Sequence, residues 1–557
     1  MPNGAELFVQ AALQLGIDTV FTLVGDHLNE ALAAAARHGM RIVDMRHESG
    51  VTHAADAWAR VHRLPALSLV TGGPGHTNSL TGIATAMLAG SPLIAVSGSR
   101  PSTLAGRQAF QDIDQVGMAR PVVKWAAEPA SAAEIPGFLQ RAYQEADAGR
   151  KGAVHLTIPV DLFVANAGGA VLPACPARPQ FAPQADSVTN AITLLRSAQR
   201  PVIIAGSGVW WAHAEIALRD FIARTNIPLY TITMGRGTVP DDHPLALGYA
   251  DPALNYGVHT AFREADVFLV IGKRIDYRLA FGGARLFPPE ARFIQVDIHP
   301  PELGLNRSLD VAICADARLA LEALTAAAGP ERWPAGAWLD RVRALRSEWE
   351  GKLAAAADRA HVGCEASPLH PAALFGELKA ALPADVLYSW DGGDFAHWGR
   401  AILPARHAGG WLRLGPLGTI GSSLPNAIAL QLAHPRRRVV AITGDGALGF
   451  YLAEMDTAVR HKLPIVLIVG NDAGWGLERE LQSAATSGQP TVACELQPSR
   501  YDLVMQAFGG GGETIERLDQ VRPALARAFA SGVPYCLNVK IRGVRSPFTD
   551  WQIAGKR

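Results

Sequence analysis

The chain has 557 residues, 49% hydrophobic and 18% charged, which supports several packed cores, shows no disorder signature and predicts three or four domains. Lysine plus arginine equals aspartate plus glutamate at 51 each, so no excess charge recruits nucleic acid or an anionic membrane. Neither partner is expected. No uninterrupted apolar stretch is long enough to span a bilayer. The five cysteines, Cys175, Cys314, Cys364, Cys494 and Cys536, are scattered without a CxxC spacing. That pattern predicts buried thiols in a reducing, cytoplasmic setting, not a disulfide framework or zinc site.

The opening MPNGAELFVQAALQLG lacks a basic leader followed by an apolar core and reads as the first helix. Up to about residue 165, strands around Asp18–Phe21, Ile42–Asp44, Leu67–Thr71 and Leu93–Ser97 alternate with helices such as Val51–Arg60 and Ser79–Leu88. Such alternation predicts a parallel sheet covered by helices. A Gly/Pro-rich linker follows over Ala167–Gln184. The second unit, about 188–335, has its clearest strands at Pro201–Ala205, Asp266–Ile271 and Arg292–Val296. Trp333–Ala360 is charged and helical, and the first rhythm then returns. Its strands are Val386–Tyr388, Arg438–Thr443, Ile465–Val469 and Tyr535–Val539. The first and third units thus have similar lengths and rhythms.

In the third unit, RRRVVAITGDGALGF ends a strand in a tight Gly444-Asp445-Gly446 turn. A crossover helix of roughly three turns is expected next, then a strand ending at Asn471–Asp472. Such a crossover makes the two strand ends neighbours at the carboxyl edge, where open α/β sheets bind ligands. Asp445 and Asp472 can meet there although they are 27 positions apart. Glycines allow close backbone approach, helix-start N–H groups suit phosphate, and carboxylates suit a hard cation such as Mg²⁺. A plain βα turn is the competing reading. With no GxxxxGK[ST], a P-loop is disfavoured.

GDGALGF with Asn471–Asp472 resembles the cofactor motif of thiamine diphosphate enzymes of the acetolactate synthase and pyruvate decarboxylase superfamily. The resemblance covers nearly the whole chain and includes the order of the three units. It implies three consecutive α/β domains with parallel sheets in the thiamine diphosphate-binding fold. These would be a pyrimidine-binding domain over 1–170, a central domain over 188–335 and a diphosphate- and metal-binding domain over 366–543. Residues 544–557 would form a tail or lid. By the same resemblance Asp445, Asp472 and the carbonyl of Gly474 would hold Mg²⁺. Gly392, Gly393, Asp394 and Phe395 of WDGGDF would lie near the diphosphate, with Gly444, Gly446 and Ala447. Gly418 would offer a carbonyl to the aminopyrimidine, and Ile420 would prop the bent cofactor. Trp475, Gly476 and Leu477 would shape the pocket beside the thiazolium. Asp472 departs from the usual Asn, and Ile420 from the commoner Met or Leu.

In the first unit Glu48 follows a strand and opens a helix. It could simply complement the helix dipole; buried, it would instead share a proton with a heterocycle. RHE resembles the family's glutamate motif, which favours the second role, with the aminopyrimidine as partner. Gly73, in TGGPGHTNSLTG, would lie close to the cofactor, and this loop lacks the paired histidines of pyruvate decarboxylases. Asp26, His27 and Gln111 each read as a polar turn or cap from sequence alone. The resemblance makes Asp26 a catalytic aspartate, places His27 as in benzaldehyde lyase, and matches Gln111 to the active-site glutamine of acetolactate synthases and benzaldehyde lyase. Glu478, six positions beyond Asp472, is either a solvated helix residue or the catalytic glutamate.

The implied activity is a C–C lyase or carboligase reaction on a 2-hydroxy ketone, a 2-hydroxyacyl-CoA or a 2-keto acid, with the carbanion held as an enamine. Alternatives are acetolactate synthase or 2-keto acid decarboxylase activity, and a catalytically idle thiamine-fold binding protein. Arg542 and Arg545 could meet the anionic groups of a CoA thioester. In the middle unit, VIIAGSGVWW carries Gly206 and Gly208 without a third glycine, and Asp297 lies too far on for a dinucleotide fingerprint. A scaffold is expected there, with FAD or ADP the less favoured alternative. Because the family divides each site between two subunits, an obligate homo-oligomer is implied, a dimer or a tetramer.

Overall fold

The computed structural model describes residues 2–168, 171–172, 174, 178–362 and 368–556. Cys175, Cys364, part of the expected linker and the expected domain edges at 170 and 366 lie outside the described residues. Three six-stranded parallel sheets follow one another along the chain. In the first, the spatial order is Arg41–Asp44, Thr19–Thr22, Ala66–Val70, Leu93–Ser99, Val154–Pro159, Ala126–Ala127. In the third, it is Trp411–Arg413, Leu387–Trp390, Val439–Gly444, Val466–Asn471, Tyr535–Lys540, Gly511–Ile515. Counted within each unit, both orders are the same, so the repeated rhythm of the sequence is a repeated topology. The central sheet runs Val311–Cys314, Arg292–Asp297, Val267–Ile271, Pro201–Ala205, Leu229–Thr231, Ala246–Tyr249.

The continuous β-branched runs arise because these strands are covered on both faces. Every residue of Val267–Ile271 is buried, as are the first five of Val439–Gly444. The first and third units share a core: Val51, Ala54 and Ala57 of helix Glu48–His62 cluster with Leu424, Ala427 and Ile428 of helix Ser423–Ala433. Small side chains on these faces let the two helices approach closely. No described helix is long and apolar enough to cross a membrane.

Three expectations need correction. The crossover after Gly444 is not one helix but a short helix Asp445–Leu448, a 3₁₀ turn Gly449–Tyr451 and a helix Glu454–Arg460. Glycines at 446 and 449 are poor helix formers and let the segment break. The charged helix starts later than expected, running over Ala337–Val362, because Pro334 and Gly336 delay it. Cys314 is exposed; it ends an edge strand whose residues alternate between core and solvent. The segment expected to form a tail or lid is helical over residues 547–556. Helix Pro547–Lys556 is held by the Asp394 carboxylate, which accepts from Ser546 N at 3.0 Å and from the hydroxyls of Ser546 and Thr549. Phe548 stacks on His397 with ring centres 3.9 Å apart.

Candidate active site

The third sheet reverses direction of winding between Leu387–Trp390 and Val439–Gly444, and such switch points open a crevice at the carboxyl ends of the strands. Asp445 stands at one of these ends. In the next strand Gly470 pairs with Gly444, which brings Asp472 alongside. The two carboxylates share a buried position, where burial first and their mutual repulsion second raise the proton affinity of Asp445. Gly474 N–H donates to Asp445 Oδ2 at 3.1 Å. A Cβ at Gly446 would sit 2.8 Å from the Trp475 ring, so the absence of a side chain there lets the indole close over the turn. These groups line one cavity of about 100 Å³ with Gly392, Gly393, Asp394, Phe395, Ile420, Ala447, Gly476, Leu477 and Glu478. Ile420 leans over Gly392, where an added Cβ would meet its Cγ2 at 3.0 Å. Glu478 is exposed, and Gly418 keeps a left-handed φ of 81° outside the lining. Paired hard oxygen ligands beside a glycine cradle fit a metal–diphosphate group. Among the described residues no group of three or more His, Cys, Asp or Glu forms a metal site made of side chains alone.

The first sheet has its own switch point, between Thr19–Thr22 and Ala66–Val70, and the other candidates gather there. Glu48 is only 9% exposed, and its Oε2 accepts from Asn78 Nδ2 at 3.0 Å. Gly73, at φ 60°, leaves room for Gln111, whose Cβ would lie 2.8 Å from a Cβ at 73. Gln111 is itself in the left-handed region at φ 60°, and its Oε1 is buried without a partner. His27 is buried, with Nδ1 2.9 Å from Thr71 Oγ1 and 3.2 Å from Gly72 N. A backbone N–H can only donate, so Nδ1 is the acceptor and the neutral ring carries its proton on Nε2. The Asp26 side chain is 73% exposed, and its carboxylate accepts the His27 N–H at 3.0 Å, as a turn cap does.

Each unit matches a family description: thiamine pyrophosphate enzyme N-terminal TPP binding domain over 2–118, central domain over 188–324, and C-terminal TPP binding domain over 391–539. The chain is 36% identical to a probable acetolactate synthase of Mycobacterium bovis over 529 residues, which covers 94% of this chain and 93% of that one. The chain is a thiamine pyrophosphate enzyme of the acetolactate synthase and pyruvate decarboxylase superfamily. It is also 30% identical to the acetolactate synthase isozyme 2 large subunit of Escherichia coli, covering 97% and 95% of the two chains. Against human 2-hydroxyacyl-CoA lyase 1 the identity is 29%, covering 97% and 94%.

Within one chain of this thiamine diphosphate enzyme, the candidates fall into two sets, one at each switch point. Among the described residues, no hydrogen bond joins Glu48, His27 or Gln111 to the cavity around Asp445 and Asp472. Sequence reasoning assigned Asp391 no role of its own within the WDGGDF segment, yet it is fully buried and accepts from Gly392 N, Gly421 N and Thr443 Oγ1 at 2.8, 2.9 and 3.0 Å, tying together three segments of the site. An aspartate directly before the Gly392–Gly393 turn was the available signal. Arg479 was also missed: Nη1 lies 3.4 Å from Asp472 Oδ2, and Nε 3.1 Å from Glu495 Oε1. Of the two arginines expected to meet anionic groups, Arg542 lines the cavity and Arg545 is paired with Glu480 at 2.5 Å.

The central unit holds a cavity of about 750 Å³ at the carboxyl ends of its strands, bordered by Gly208, Lys273, Arg274, Asp297 and Asp316, and by Arg413 of the third unit. Gly208 and Gly272 touch so closely that a Cβ at either would be 2.5 Å or less from the other backbone.

Proposed function

We propose that this enzyme is a thiamine diphosphate- and Mg²⁺-dependent C–C lyase or carboligase acting on a 2-hydroxy ketone, a 2-hydroxyacyl-CoA or a 2-keto acid. The observation that carries this reading is the convergence of Asp445, Asp472, Trp475, Leu477 and Glu478 on one cavity at a topological switch point. Asp445, Asp472 and the Gly474 carbonyl hold the metal, and Gly392, Gly393 and Phe395 border the diphosphate. When bound, the cofactor supplies a nucleophilic carbon and an electron sink for the bond that forms or breaks. Glu48 shares a proton with the aminopyrimidine. Gln111 donates its amide Nε2–H to the substrate carbonyl oxygen. The Nε2–H of His27 and the carboxyl of Glu478 carry protons to and from the substrate oxygen, and Asp26 fixes the His27 backbone. A positioned acid or base of this kind contributes about 10²–10⁴-fold.

The separation of the two sets within one chain supports an obligate homo-oligomer, a dimer or tetramer, in which the first unit of one subunit completes the third unit of its partner. A cytoplasmic location is part of the same reading. The test is metal- and cofactor-dependent turnover across 2-keto acids, 2-hydroxy ketones and 2-hydroxyacyl-CoAs, with products identified by mass spectrometry. Turnover restricted to 2-keto acids selects the acetolactate synthase or decarboxylase alternative; no turnover in any group at full cofactor occupancy sinks the proposal.

A second reading concerns the central unit. Its cavity of about 750 Å³, bordered by Lys273, Arg274 and Arg413, has the size and positive charge to take a nucleotide such as FAD or ADP, against the alternative of a scaffold. Denaturing the purified protein and analysing the released small molecules decides between them.

A further inference from the structure

A third cavity, of about 510 Å³, lies where the central and third units meet, and Arg400 lines it. Arg400 stands on helix Gly393–Ile402 and is 2% exposed, yet its Nε and Nη1 have no acceptor. Of the other cations of this cavity, Arg236 is paired with Asp241 although its Nε also lacks an acceptor, Arg346 is paired with Glu350 at 2.8 Å, Arg406 approaches Asp242 at 3.9 Å, and Lys379 is exposed. Arg413, which borders the cavity of about 750 Å³ and whose Nε also lacks an acceptor, and Arg278 lie close enough to repel the charge of Arg400. Arg278 uses Asp251, at 2.6 Å, and Arg413 Nη1 has only the neutral hydroxyl of Tyr249, at 3.1 Å. Three buried guanidiniums therefore face one carboxylate. Arg400 is pushed down to about 9 by its burial and then by Arg413. Burial opposes ionisation of the Tyr249 hydroxyl, but Arg413, Arg400 and Arg278 together bring it below its ordinary value. His397, on the same helix, is held neutral by burial and adds no charge, and its Nδ1 is likewise without a partner.

Buried charges in folded proteins are paired, and buried donors find acceptors. We propose that Arg400 and Arg413 hold a small inorganic anion, a halide or a tetrahedral oxyanion, at the junction of the central and third units. The anion supplies the acceptor lone pairs that both guanidiniums lack. Arg400 and Arg413 both belong to the third unit, and Tyr249 and Arg278 of the central unit stand beside them, so the ion sits where the two units meet. The site is separate from the cavity around Asp445 and Asp472, and shares no lining residue with it.

Crystals of the holoenzyme grown in sodium bromide test this directly, by anomalous scattering at the bromine edge. In parallel, thermal unfolding is followed in gluconate against bromide and against phosphate at constant ionic strength. The expected result is a bromine peak within hydrogen-bond distance of Arg400, and a saturable rise in Tm of about 2 °C that the Arg400→Met variant loses. A rise with bromide alone identifies a halide site, and a rise with phosphate alone, with phosphate density at the same guanidiniums, an oxyanion site. Water in place of any anion in the wild-type crystals overturns the proposal. So do a bromine peak at crystal concentration only, without a Tm response, and a phenolate absorption band at neutral pH that identifies Tyr249 as the internal counter-charge.

Discussion

Nη1 of Arg479 lies 3.4 Å from Oδ2 of Asp472, the second carboxylate of the candidate metal site. The guanidinium offsets part of the negative charge of the Asp445–Asp472 pair. Removing one partner alone therefore unbalances the site. Asp472→Asn should weaken Mg²⁺ binding and Arg479→Leu should strengthen it, each by up to about tenfold at a partly solvated position, with the double variant near wild type. Mg²⁺ titrations of cofactor-induced tryptophan quenching measure all three. Equal affinities in every variant would show that the pair does not tune the metal.

Glu48 is buried and already accepts a hydrogen bond from Asn78, which a glutamine at 48 can also accept through its amide oxygen. Glu48→Gln should thus fold normally and bind cofactor within about tenfold of wild type, while turnover drops by about 10²–10⁴-fold. Normal turnover at confirmed saturation removes Glu48 from the mechanism.

His27 anchors the Gly72 N–H through Nδ1. His27→Asn retains an acceptor near that position but loses the second ring nitrogen. Its activity should fall by about 10²-fold or more with little change in Tm, whereas His27→Ala should also destabilise the protein by about 1–3 kcal/mol, because it orphans a buried donor. Steady-state assays beside thermal melts separate the two effects. Should Asn retain full activity, the imidazole is a support for the loop only.

Glu454 links the units: its carboxylate accepts Arg46 N at 3.2 Å and Thr457 Oγ1 at 2.6 Å, close against Gly50. Burial, the largest influence, pushes it up to about 7. Its folded value is above the unfolded one, so the protonated form is favoured by folding. The contribution is intact below about pH 4.5 and is lost as pH rises through about 7, a change of about 3 kcal/mol in total. Glu454→Gln should therefore gain stability relative to wild type at pH 8 compared with pH 5. Parallel melting curves of the two proteins at both pH values would refute the assignment.

Much of this site could be read from the sequence, because its residues sit at strand ends, where glycine and aspartate interrupt apolar runs. Asp445 and Asp472 were recognisable as neighbours since a right-handed parallel crossover leaves their strands little choice. The role of Asp391 was not legible, although the residue precedes the Gly392–Gly393 turn, because it exists only where Gly421 and Thr443 converge on the carboxylate. The broken crossover helix was equally hidden. Its glycines hint at a break, but where the chain turns is set by packing Tyr451 against Ser49 of the first unit, at 2.9 Å.

The sequence by itself determined the three α/β units, their parallel sheets and the family, because these follow from local patterns: apolar runs of strand length, small-residue helices and motifs within a few dozen residues. Only the tertiary structure decided what depends on groups far apart in the chain. It set the tautomer of His27 through Gly72, the seat of the final helix on Asp394, and the acceptorless cluster of Arg278, Arg400 and Arg413. Charge and hydrogen bonding act through space at a few ångströms, and linear order carries almost no record of which distant groups come that close.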